Sequence, residues 1–314
     1  MNQQLVEISK NVLQSCLGLK AEETFLVVAD DVKKELAEAL YEAGKQLGAE
    51  AMLVIMKERL KSGEEPPLAI ATAMAQSNVV VCVTKHSLTH TLARKQAAAA
   101  GTRLATMPGI TEDMFLEGAI SADYNQVKAL TEKVTAMLTP AETVRIEKNG
   151  YTLTFSIAGR EGVPSTGMYL NPGESGNLPS GEAYIAPLEG TAEGQILIDG
   201  SMAGIGKLSS PLLLTIEQGR IVQAEGPDGP RLLEILGDGD GRMLAEFGIG
   251  TNDKARITGV VLEDEKVYGT IHVAFGSNNT FGGTISAGVH LDGVVGQPDV
   301  YLDEKLIMKS GKFV

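Results

Sequence analysis

The apolar pattern of this chain changes character once, at Pro140, and that change constrains its fold more than any other feature. Before it, short apolar runs alternate with helical stripes. Leu5, Ile8, Val12 and Leu13 share one helical face, and residues 24–29 form a strand-like run that ends in Asp30 and Asp31. Asp31 is predicted to cap a helix over residues 32–47, which Gly48 closes. The alternation continues through strands at 51–56, 78–84 and 102–107 and helices at 67–77 and 89–100. Strands apolar on both faces suit a parallel sheet covered by helices on both sides. After a helical stretch over 122–138 and then Pro140, glycine-rich turns separate strands of alternating pattern. Residues 143–148 and 151–157 flank Asn149 and Gly150, a pair suited to the positive φ angles of a tight hairpin. Further hairpins are predicted for 212–217 with 221–224 and for 300–302 with 306–308, and one helix for 230–236. The chain therefore reads as an α/β N-terminal domain with a parallel sheet (1–140), followed by a β-rich α+β domain (141–314).

At 314 residues each domain is large enough to bury its own core. Lys and Arg number 27 against 40 Asp and Glu, a formal charge of −13, which disfavours nucleic acid and anionic lipid as partners. The absence of Trp argues against platforms for stacked bases. No cationic segment precedes an apolar core at the N-terminus, and no apolar run approaches the roughly 18 residues that span a bilayer. Neither a G-x-G-x-x-G nor a G-x-x-x-x-G-K-[ST] pattern marks a dinucleotide or nucleotide site. Cys16 and Cys82 lie far apart, with Cys82 inside an apolar run at 79–83, as expected of buried structural thiols in a reducing compartment. These readings predict a cytoplasmic protein that acts on a small molecule or short peptide, with no nucleic acid or membrane partner.

Two of the four histidines fall close together in the second half, His272 and His290. Residues two apart in a strand project to one face, so His290 and Asp292 present an imidazole and a carboxylate to one point while Leu291 faces the core. His272 sits in its own apolar run with Ile271, Val273 and Phe275, and an adjacent strand can place it beside that pair. Two imidazoles with a carboxylate suit zinc, cobalt, manganese or Fe(II) and disfavour an all-oxygen calcium cage. Glu182 and Glu246 each stand alone in apolar or glycine-rich segments, where a buried carboxylate needs a cation or shifts its pKa. Those two glutamates decide whether one divalent ion or two is held. The second half is thus predicted to be a metal-binding catalytic domain. In the first half His90, with Arg94 nearby, is a candidate for a ligand crevice at the strand ends, and equally for an early-helix surface position.

At these positions the chain resembles the M29 family of metallo-aminopeptidases, also called the aminopeptidase T family. The matching motifs are N-L-P-x-x-E ending at Glu182, A-E-x-G-I-G-T-N holding Glu246, H-x-A-F-G at His272 and H-x-D at His290 and Asp292. The resemblance implies metal ligands at Glu182, Glu246, His272, His290 and Asp292, a two-metal site and a homodimer. It implies release of N-terminal amino acids from peptides by a metal-activated water, with Glu182, Glu246 and His90 as candidate catalytic residues. The chain departs from the family at Gly181, where a glutamate usually pairs with the one that follows, and at Asn279, where a tyrosine is usual. Relatives of this fold that cleave dihydroxypyridine rings share the unpaired glutamate. The alternative is therefore a mononuclear Fe(II) ring-cleaving dioxygenase of the extradiol type. It would use His272, His290 and Asp292 on a dihydroxylated aromatic such as 2,5-dihydroxypyridine.

Overall fold

Alternate residues of the strand Thr24–Asp30 are buried on opposite sides, Phe25 and Val27 on one and Leu26 and Val28 on the other, so both faces need a covering layer. A computed structural model describes residues 2–314 of the chain and supplies those layers. Helices Leu68–Ala75 and Leu92–Ala99 cover the face that carries Leu26, Val28, Val80 and Leu104. Helix Lys34–Gln46 lies on the other face, so close that a Cβ on Gly44 would come within 2.4 Å of the Phe25 ring. The sheet runs in the order Glu50–Met56, Thr24–Asp30, Val79–Val83, Arg103–Thr106, Ser175–Asn177, and every neighbouring pair is parallel. The predicted helix-covered parallel sheet is therefore present, with two local differences. Asp30 rather than Asp31 is the cap: its carboxylate accepts from the Val32 and Lys33 amides and starts a 3-10 turn, Asp31–Lys33, ahead of the helix. Thr91 caps Leu92–Ala99, which leaves His90 exposed in the turn before that helix.

The chain divides into two units. The first runs to Asn125 and takes in Gly167–Ser180; the second comprises Gln126–Thr166 and Gly181–Val314. The division falls near the start of helix Tyr124–Leu138 rather than at Pro140, because Val134 and Leu138 on that helix enter the core of the second unit.

The second unit is two antiparallel sheets over one core. The eight-stranded sheet includes the predicted hairpins: Thr143–Lys148 with Tyr151–Ser156, Leu212–Glu217 with Arg220–Glu225, and Asp299–Leu302 with Lys305–Lys309. Asn149 and Gly150 have φ of 52° and 86°, the left-handed pair that a two-residue hairpin demands. The seven-stranded sheet contains Glu182–Ile185, Leu244–Gly250, Thr270–Gly276 and His290–Gly296 as consecutive neighbours. Its Phe247, Ile249, Ile271, Val273 and Phe275 meet Leu153, Phe155, Ile196 and Leu214 of the other sheet. Phe155 and Phe247 pack edge to face at 5.6 Å, a geometry worth about 0.5–1.5 kcal/mol beyond area burial.

Among the described residues no helix is long and apolar enough to cross a membrane. Burial pushes the Cys82 thiol up to about 12 and raises Cys16 as well, so neither offers a thiolate near neutral pH.

Gly44→Ala tests the packing of the first unit. Ala favours a helix over Gly by about 0.5–1 kcal/mol, but an overpacking clash costs about 1–3 kcal/mol. The expected net result is a lower urea midpoint; an unchanged or raised midpoint would contradict the tight helix-on-sheet contact.

Candidate metal centre

The register of four neighbouring strands gathers the polar residues on one face. Glu246 stands opposite Ala274, which stands opposite Asp292; Gly248 opposes His272, Gly276 opposes His290, and Gly250 opposes Glu182. Cross-strand partners share a face, so Glu182, Glu246, His272, His290 and Asp292 all project to the side away from the apolar core. The small residues between them are a requirement. A Cβ on Gly248 would lie 2.0 Å from His272 Nε2, so the imidazole can lie across the strand only because that position is glycine.

Glu246 is the centre of the arrangement. Its Oε1 is 3.2 Å from His272 Nε2 and its Oε2 is 3.4 Å from His290 Nε2. His290 Nε2 is also 3.4 Å from Asp292 Oδ1, and Glu182 Oε2 is 3.3 Å from His272 Nε2. The donors form two groups that share Glu246, one with Glu182 and His272 and one with His290 and Asp292, each spanning no more than 4.8 Å. They differ in access. The His272 side chain is fully buried, whereas the His290 and Asp292 side chains keep 31% and 13% exposure. His290 Nδ1 donates to the Ser277 carbonyl at 2.7 Å; a carbonyl only accepts, so Nδ1 holds a proton and Nε2 is the ring nitrogen turned towards the carboxylates.

The donor set fits a divalent cation. Among the described residues neither His272 Nδ1 nor Glu182 Oε2 has a hydrogen-bond partner, although both are buried. Burial opposes charge on Glu246, yet hydrogen bonds from His272 and His290 hold its carboxyl at about 2. Burial likewise opposes charge on His272, but Glu246 and Glu182 raise it to about 9. His290 also lies well above its ordinary value: burial opposes its charge, and Asp292 and Glu246 outweigh that. A pocket that draws protons onto two imidazoles has an excess of negative charge, and a divalent ion supplies what it lacks.

Two further charged residues belong to this cluster, and neither stood out in the sequence. The segment before Thr270–Gly276 crosses the site face above Gly250, where a Cβ would meet the Val267 carbonyl at 2.1 Å. There Lys266 is 1% exposed, with Nζ 2.5 Å from Glu182 Oε1 and paired also with Glu265. Burial pulls the Lys266 pKa down, and the two carboxylates carry it well above its ordinary value. Glu265 is pushed up to about 8 by burial and by Glu182 and Asp292, against the pull of Lys266. Residues 263–266 read Glu-Asp-Glu-Lys, which in sequence resembles a solvated turn, yet Glu263, Asp264 and Lys266 are all buried. The available signal was the setting of the run, between Leu262 and Val267 and just ahead of the His272 strand.

The candidate from the first half is not among these donors: His90 lies in the first unit and belongs to neither group. Gly181 shows why the first motif has a single glutamate. Its φ is +124°, and a Cβ there would meet Asn252 and Val127 at 2.8 and 2.9 Å, leaving no room for a second acidic side chain. Asn279 is exposed in the loop that joins the two histidine strands.

What the fold and the cluster define first is a class, a protein of M29-like fold with a donor set suited to metal. Within that class the chain belongs to the 2,5-dihydroxypyridine 5,6-dioxygenase family (NicX), whose model matches residues 4–314. A 2,5-dihydroxypyridine 5,6-dioxygenase of Pseudomonas putida is 26% identical over 173 residues, an alignment spanning 48% of this chain and 48% of that relative. The solved structure of 2,5-dihydroxypyridine dioxygenase from Pseudomonas putida matches 100% of this chain and 98% of its own, with a TM-score of 0.83 at 20% identity. Wild-type AmpT from Thermus thermophilus also shares the fold, with a TM-score of 0.73 at 18% identity and 99% coverage of both chains. The leading expectation from the sequence, an aminopeptidase, is thus not the activity that names the family.

Asp292→Asn tests the cluster as a metal centre. It removes one anion from the accessible donor group while keeping shape, so divalent-ion affinity measured by calorimetry is expected to fall roughly 10-fold or more, with the far-UV spectrum unchanged. Undiminished affinity would place the ion elsewhere.

Proposed function

We propose that this protein is a mononuclear Fe(II) ring-cleaving dioxygenase whose substrate is a dihydroxylated heteroaromatic of the 2,5-dihydroxypyridine type. The observation that carries this reading is the match of residues 4–314 to the dioxygenase family. The site chemistry agrees. Imidazole and carboxylate donors with room left for other ligands are the usual surroundings of non-haem Fe(II) in oxygenases. Glu246, His290 and Asp292 would hold the ion, with His272 set against the other oxygen of Glu246. The bound iron would supply a Lewis-acidic, redox-active centre at which a ring hydroxyl and dioxygen can meet.

The remaining residues position and shield. Ser277 fixes the His290 ring through its carbonyl, so that only Nε2 faces the carboxylates. Phe281 stands edge-on to His290 at 6.0 Å and to Tyr184 at 5.4 Å, an aromatic wall beside the accessible donor group against which a flat ring can lie. Asp292, the more exposed of the two carboxylates in that group, would accept the proton that a ring hydroxyl gives up on binding. Glu182 has no such freedom, since Lys266 holds it.

A metallo-aminopeptidase reading has one specific observation in its favour, the second donor group of Glu182, Glu246 and His272, which a two-metal hydrolase could use. Against it stands Gly181, whose surroundings admit no paired glutamate.

Protein loaded with Fe(II) under anaerobic conditions is expected to take up one dioxygen per 2,5-dihydroxypyridine consumed, both oxygen atoms entering the product, and to lose that activity to a chelator. Chelator-sensitive cleavage of amino-acid amides by the zinc or cobalt form, without oxygen uptake, would replace this reading with the peptidase one. Phe281→Ala should raise KM roughly 2- to 10-fold, the equivalent of about 0.5–1.5 kcal/mol of aromatic contact, while kcat changes less. An unaltered KM would remove Phe281 from the substrate wall.

A further inference from the structure

We propose that Lys266 fixes the metal count of this centre at one, standing as a built-in monovalent cation where a second divalent ion would otherwise be held. The inference rests on reading the cluster as a metal centre, as above, but not on the identity of the substrate.

The five donor residues supply two groups, and nothing in their atom types separates a one-metal from a two-metal site. Lys266 separates them. Its ammonium sits 2.5 Å from Glu182 Oε1 and is shared with Glu265, so the glutamate that distinguishes the inner group is already neutralised from within the chain. A divalent ion on Glu182, Glu246 and His272 would have to lie beside that ammonium in a pocket with almost no solvent to screen the repulsion. The outer group of Glu246, His290 and Asp292 has no ammonium paired to it among the described residues, and it keeps access to solvent.

The lysine is held in place by its backbone. The Asn252 amide donates to the Lys266 carbonyl at 2.9 Å, the Tyr268 amide to the Asn252 carbonyl at 3.0 Å, and the Lys266 amide to the Glu263 carbonyl at 2.9 Å. Gly250 makes this possible, since any side chain there would push the Lys266–Val267 backbone off the sheet. Glu182 is the cross-strand partner of Gly250, so the same crossing that needs the glycine delivers the ammonium to the glutamate. At 1% exposure the side chain cannot swing out to make way for an ion without opening this segment.

The test is metal stoichiometry, read by mass spectrometry after dialysis against saturating zinc or cobalt. The native chain is expected to hold one ion. The double variant Lys266→Met with Glu265→Gln removes the ammonium together with the second carboxyl group that pairs with it, which leaves Glu182 without its cation, and its ratio is expected to rise from one ion per chain to two. Lys266→Arg keeps the cation and should stay at one. A native chain that holds two ions overturns the inference and leaves the metal centre standing; this count needs no variant. A folded double variant that still holds one also overturns it. A native chain that binds none overturns the metal-centre reading itself, and the inference with it.

Discussion

Negative charge gathered on one face of a buried sheet is the constraint around which the second unit is organised. Glu182 and Glu246 are both buried, with Asp292 beside them, and a carboxylate taken out of water costs several kcal/mol unless a positive charge meets it. The chain answers part of that demand with Lys266 and leaves the rest to whatever cation the imidazoles and carboxylates can hold. The glycines of the site strands follow from the same need. Gly248 clears space for the His272 ring and Gly250 for the segment that brings the ammonium, while Phe247 and Ile249 between them serve the core. One strand thus satisfies the core on one face and the charge cluster on the other.

Much of this was legible in the sequence because it depends on period. The parallel sheet follows from strands buried on both faces, and the pairing of His290 with Asp292 follows from the two-residue repeat of a strand. His272 falls beside them because its strand is the hairpin neighbour of theirs. The rest depended on register and burial, which no local pattern encodes. The central position of Glu246 rests on an irregular register between Leu244 and Glu246 that resets which residue faces Ala274. Ser175–Asn177 joins the first sheet through backbone pairing with Leu104–Thr106 and side-chain hydrogen bonds from Thr106 and Arg94, without an apolar residue to announce it. Lys266 defies the ordinary expectation that lysine is exposed, and only the two carboxylates beside it explain why it is not.

The likeness to both a dioxygenase and AmpT shows one fold in two settings, and fold by itself decides no chemistry. On the proposed reading, small features of this chain carry the distinction. Gly181 leaves no space for a paired glutamate, and Lys266 places a fixed charge on the inner donor group. The same motifs that resemble a two-metal hydrolase can in this way support a centre with a single accessible ion. Sequence motifs identify the donors; the groups packed against them set how many ions they share.

The most direct measurement is anomalous diffraction at the iron edge from crystals grown without added metal and kept free of oxygen. The expected result is one iron peak per chain, bounded by Glu246, His290 and Asp292, with the Lys266 ammonium still on Glu182. Two peaks sharing Glu246, or a peak at the zinc edge in place of iron with Lys266 displaced from Glu182, would contradict it.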